Sequence, residues 1–140
     1  MPTNISTILL NATKEKVWDA LTKPELVKLW LFNSDMITNW EVGSSIQFKT
    51  EWDGGVFEQW GSILEVRINE LIKYNLFAPR PNLEDKPENY FITTYILTVE
   101  HRQTKLEFIQ EDNRSGAVQE EPGGEENPIL QSLKKIVEIK

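Results

Sequence analysis

Few residues in this chain have both the type and the spacing that catalytic chemistry needs. His101 is the single histidine and there is no cysteine. That excludes disulfides, thiolate metal sites, and the His-Glu-x-x-His and three-histidine zinc arrangements. His101 stands beside Arg102 at a predicted strand end, where it reads as a solvated turn residue rather than a general base. Asp53 and Glu58 are spaced for acid–base work in a cleft, but flanking a hairpin they read as solvated carboxylates. There is no Gly-x-Ser-x-Gly elbow and no phosphate-cradling glycine loop. No catalytic motif is recognisable, and no metal and no cofactor is expected.

The sequence offers aromatic surface instead. Five tryptophans in 140 residues is a high count, and Trp18, Trp30, Trp40, Trp52 and Trp60 all fall in the first half. Such side chains either fill the core of a small domain or line a ligand cavity, since pockets are mostly apolar and aromatic with a few polar groups. Strand alternation puts Phe48 and Trp52 on one face. It puts Tyr95, Leu97 and Val99 on one face of a later strand, and Leu106 and Phe108 on one face of the last. If the sheet curves around the closing helix, these faces converge on the interior, and the candidate ligand-binding set is Phe48, Trp52, Trp60, Tyr74, Tyr95, Leu97, Leu106, Phe108 and Leu133. Tyr74 and Tyr95 are the hydroxyls that would orient a bound molecule.

These side chains must be positioned by a definite order of elements. Ile5 to Leu10 suits a strand, and Asn11 and Thr13 offer capping oxygens for a helix over about Lys14 to Leu21. Pro24 suits the first turn of a second helix, where its missing N–H is not needed. That helix is expected to end near Phe32, before the turn cluster Asn33-Ser34-Asp35. From there to Asp112 the period becomes strand-like: Met36 to Trp40, Ile46 to Trp52, Phe57 to Ile68, Leu71 to Phe77, Tyr90 to Glu100 and Thr104 to Gln110. Asp53-Gly54-Gly55 is a hairpin signal, and Gly61 inside a strand marks a bulge or a close backbone approach. The polar, acidic segment 112–128 reads as a flexible loop. After it, Ile129, Leu130, Leu133, Ile136 and Val137 recur at helical spacing, with Asn127 as cap and Pro128 at the first helical position.

Composition narrows the partners. A chain of 140 residues suits one domain, 1–140, that buries roughly 68% of its unfolded surface. A net charge of -7, with 15 basic residues scattered among 22 acids, argues against nucleic acid and anionic membrane surfaces. No apolar run approaches the ~20 residues of a membrane span. The start Met1-Pro2-Thr3-Asn4 has no signal-peptide pattern, so a cytoplasmic setting is expected.

The run Lys16-Val17-Trp18-Asp19-Ala20-Leu21-Thr22-Lys23-Pro24-Glu25-Leu26, followed by Trp30, resembles the family related to the C-terminal domain of the activator of Hsp90 ATPase. That family lies in the START / Bet v 1-like (SRPBCC) superfamily. Trp40-Glu41-Val42-Gly43-Ser44, Gly61-Ser62-Ile63-Leu64-Glu65-Val66, Leu71-Ile72-Lys73-Tyr74 and Thr104-Lys105-Leu106 are similar to its following strands. The resemblance covers Ile5 to about Phe108. It implies an α+β, helix-grip (Bet v 1-like) fold: a curved antiparallel sheet wrapped around a C-terminal helix, with two short helices after the first strand closing one end. Many members of that family enclose an apolar cavity. The chain departs from the family pattern at Lys23, often Asp there, and at Asn127-Pro128 in place of a Gly-Trp pair. Three functions remain open: binding a small hydrophobic or amphipathic ligand, which is favoured; acting on a chaperone ATPase partner through the surface; and cyclase- or hydrolase-like catalysis in the same cavity. A monomer and an edge-paired homodimer are both compatible with the sequence.

Overall fold

The structure, a computed structural model, describes residues 3–31, 34–52, 54–79, 81, 83–112 and 128–138, with the Trp52 side chain excepted. Strand β1 (Thr3–Leu10) leads into helices α1 (Lys14–Thr22) and α2 (Pro24–Trp30). Then come β2 (Asp35–Ile37), β3 (Ser45–Trp52), β4 (Gly55–Arg67), β5 (Leu71–Leu76), β6 (Phe91–Glu100), β7 (Gln103–Asp112) and helix α3 (Pro128–Val137). The strands form one antiparallel sheet in the order β1-β7-β6-β5-β4-β3-β2. The expected loop over 112–128 lies, in its residues 113–127, outside the described residues, as does the Asn127 cap.

The helix pair is built around a proline. Thr13 caps α1, its Oγ1 accepting the Lys16 N–H at 3.2 Å. In a continuous helix the Ala20 carbonyl would accept from the residue four positions on. That residue is Pro24, which has no N–H. The vacancy is filled from α2: the Trp30 indole N–H donates to Ala20 O at 2.7 Å. The Trp40 indole does the same for Thr22 O at 2.9 Å, and Lys23 N–H reaches Asp19 O at 2.9 Å. Two tryptophans thus close the C-terminal end of α1, where a helix otherwise leaves carbonyls unpaired.

Strand β2 is shorter than the expected Met36-to-Trp40 run and ends at Ile37. Trp40 adopts φ 60, a left-handed conformation that extended chain cannot continue through. Strand β4 is the long one. Its residues 55–62 pair with β3, and from Ile63 on it pairs with β5, with a register shift between Ile63 and Glu65. Gly61 sits where the strand changes partner: a Cβ built there would lie 1.8 Å from the Asn75 carbonyl oxygen. The Asn75 side chain also accepts the Ser62 N–H at 2.8 Å. His101 and Arg102 form the β6–β7 turn with φ 51 and 66, the paired left-handed geometry of a type I′ hairpin. His101 is exposed there.

Helix α3 packs on α1, α2 and β1. It buries Leu130, Leu133 and Val137 on one face, as its 3.6-residue period requires. Just past its end, the Glu138 carboxylate accepts the Asn11 N–H and the Lys134 ammonium, each at 2.7 Å. Burial alone would raise the pKa of Glu138, but these two donors outweigh it and hold the group below its ordinary value. The end of α3 is thereby tied to the residue just after β1.

Candidate functional site

The inward faces of the middle strands do not pack flat against the helices along their whole length. They diverge to leave a partly open cavity of about 610 Å³. Cross-strand neighbours supply its wall in pairs: Phe48 opposite Gln59, Thr50 opposite Phe57, Tyr74 opposite Thr93, Leu76 opposite Phe91, and Tyr95 opposite Phe108. Leu31, Ser34, Gln110, Glu51 and Ile129 complete the lining. Ile129 belongs to the first turn of α3, so the C-terminal helix forms part of the roof. The aromatic rings contact one another in sequence. Phe48 and Tyr74 have centroids 5.9 Å apart, Tyr74 and Tyr95 6.5 Å, and Tyr95 stacks on Phe108 at 5.1 Å.

Of the residues singled out from sequence, Phe48, Tyr74, Tyr95 and Phe108 lie together on this wall. Leu97, Leu106 and Leu133 are buried, but in the packed core rather than on the cavity. Leu97 pairs with Leu106, farther along the same strands, where the helices close over the sheet. Val99, one step beyond Leu97 on the same face, is exposed. The Trp52 side chain lies outside the described residues. Trp60 is a correction. Strand alternation sends its neighbour Gln59 to the cavity and Trp60 to the opposite face. There its ring meets Phe77 at 5.4 Å and its indole N–H donates to Asp85 Oδ2 at 3.0 Å. Tyr90 donates to the other Asp85 oxygen at 2.6 Å. The Tyr90 bond and then the Trp60 bond hold the Asp85 carboxyl below its ordinary pKa. This cluster holds the segment before β6 on the outer face. Thr50, Gln59, Leu76, Phe91, Thr93 and Gln110 were missed, although each shares strand parity, or a cross-strand pair, with a residue that was named.

The wall is mostly apolar, with Glu51 its one charged side chain among the described residues. Burial pushes the Tyr95 phenol up to about 12, with the Tyr74 hydroxyl offsetting part of the rise. Burial also raises Tyr74 well above its ordinary value, and Tyr95 adds to that. Tyr90, the remaining tyrosine of the chain, is raised first by burial and then by its bond to Asp85. Folded-state values above the ordinary 10.0 mean that the protonated phenols stabilise the fold. That contribution is complete below pH 10.0 and is lost as the pH rises through the folded-state values, to about 12 for Tyr95. An alkaline titration of phenolate absorbance is therefore expected to stay low at pH 10.0, where a free tyrosine is half ionised, and to rise together with loss of near-UV circular dichroism. A full phenolate signal at that pH from a still-folded protein would contradict the burial of these rings. Among the described residues no group of three His, Cys, Asp or Glu is placed to hold a metal ion, and no helix is long and apolar enough to cross a membrane.

A curved seven-stranded antiparallel sheet, two short helices at one end and a C-terminal helix over a cavity define a helix-grip, Bet v 1-like α+β protein. Residues 11–138 match the family model of the activator of Hsp90 ATPase homolog 1-like protein, and the chain belongs to that family. A Cytophaga hutchinsonii protein with a known solution structure is 33% identical, with 83% of this chain and 80% of that one covered at a TM-score of 0.70. The Aha1 dimer from Colwellia psychrerythraea is 22% identical, covering 84% of this chain and 81% of that one at a TM-score of 0.62. Ara h 8.0201 shares the fold at 12% identity, with 96% of each chain covered and a TM-score of 0.69. No curated protein matches the sequence.

Proposed function

We propose that this protein binds a small hydrophobic or amphipathic molecule between its sheet and α3. The observation that carries this reading is the cavity of about 610 Å³ with Phe48, Phe57, Tyr74, Phe91, Tyr95 and Phe108 on its wall. Its size falls within the roughly 300–1,000 Å³ typical of ligand pockets, and its few polar groups suit orienting contacts. The unit that binds is a single domain over 1–140 working in the cytoplasm. Native mass spectrometry of the protein as purified is expected to show a retained small molecule. A panel of apolar compounds is expected to raise the melting temperature and shift the tryptophan emission. Absence of both a retained molecule and any shift across a saturating panel would overturn the reading.

A second reading follows from the family match and the likeness to the Aha1 dimer: regulation of an Hsp90-type ATPase through the protein surface. A pull-down with ATPase rate as readout separates the two, because cavity-filling substitutions would leave that rate unchanged.

A further inference from the structure

The inference concerns the charge of the ligand and rests on the cavity reading above. The lining includes no lysine, arginine or histidine among the described residues, and its one charged residue, Glu51, is negative. The polar groups on the wall are otherwise hydroxyls and amides. Ser34 and Thr50 share one hydrogen bond at 2.6 Å, Gln59 offers an amide, and Tyr74 and Tyr95 are phenols that burial keeps protonated.

An anion entering such a site gives up its hydration and meets no countercharge among the described lining residues, and burying an unpaired charge is strongly unfavourable. The net charge of -7 adds a repulsive field at the approach. We infer that the cavity selects uncharged ligands, apolar bodies carrying a hydroxyl, carbonyl or amide, and rejects carboxylates, sulfonates and phosphorylated lipids of the same size. Gln59 marks where a single change would reverse this. It lies on the wall, half-buried, opposite Phe48 in the β3–β4 ladder.

The test uses two dyes that share one skeleton, neutral N-phenylnaphthylamine and anionic anilinonaphthalene sulfonate, titrated by fluorescence against the full chain. The neutral dye is expected to bind about tenfold more tightly or better, the scale of an uncompensated charge in a partly open site. Gln59→Lys is expected to shift the ratio of the two affinities by about tenfold towards the sulfonate. Thr50→Trp, which fills the cavity from a half-buried position, is expected to abolish binding of both dyes. Charge selection is overturned if the sulfonate binds the parent chain as tightly as the neutral dye, or if Gln59→Lys leaves the ratio unchanged. If neutral-dye binding is still lost in Thr50→Trp, the cavity reading stands without it. Retention of the neutral dye by Thr50→Trp, or no binding of either dye to the parent, overturns the cavity reading itself.

Discussion

Gly61→Ala is expected to destabilise the protein by about 3 kcal/mol or more, at the upper end of what overpacking costs. Gly61 does not have a positive φ, so an alanine there meets no conformational objection. The objection is steric. The new methyl would stand 1.8 Å from the Asn75 carbonyl oxygen and 2.6 Å from its carbonyl carbon. Both are backbone atoms of β5, fixed in place by the β5–β6 ladder. Trimming the Asn75 side chain cannot relieve the clash, so Gly61→Ala/Asn75→Ala is expected to be no more stable than Gly61→Ala. Chemical denaturation of parent and variants measures this directly. A Gly61→Ala protein with the parental midpoint would show that β4 and β5 do not approach so closely.

Trp30→Phe is expected to cost about 2 kcal/mol, within the range for leaving a buried polar group unpaired. The ring of Trp30 is buried in the core, and phenylalanine replaces much of its volume. What it cannot replace is the N–H that satisfies Ala20 O at 2.7 Å, a carbonyl that Pro24 leaves without its helical partner. Trp30→Ala removes the ring as well and is expected to cost about 3–5 kcal/mol. Pro24→Ala restores a backbone donor and is expected to lower the cost of Trp30→Phe when the two are combined. A double-mutant cycle on thermal or denaturant melts reads that coupling. Additivity of the two substitutions would mean that the indole does not stand in for the missing backbone donor.

The sequence carried the order of elements well because each boundary has a local physical cause. Thr13 is a cap, Pro24 lacks an N–H, and Gly61 lacks a Cβ. The period-2 pattern of Phe48 and Thr50 marks a sheet with one buried face. The family membership was legible in the Lys16-to-Trp30 run for the same reason, since that run encodes the helix break. The site was less legible. Aromatic type suggested that Trp60 belonged inside, but what covers it is the outer segment bearing Asp85 and Tyr90, a polar stretch with no apolar signal. Leu97, Leu106 and Leu133 share their faces with cavity residues. Whether such a position meets a cavity or packed core depends on where the helices lie along the strands, and no local pattern encodes that. Strand β2 is shorter than its pattern suggests, and nothing in the Trp40 side chain announces a left-handed backbone.

The pairing of β1 with β7, from Thr3 opposite Glu111 to Leu10 opposite Thr104, sets a timetable. Among the described strands, β1 is the earliest to leave the ribosome, and its one neighbour in the sheet is the last. It must wait for nearly all of the intervening chain before it can form its ladder, and closing so large a loop comes late and slowly. Until then Ile8 and Leu10, both fully buried in the finished protein, remain open to wrong contacts.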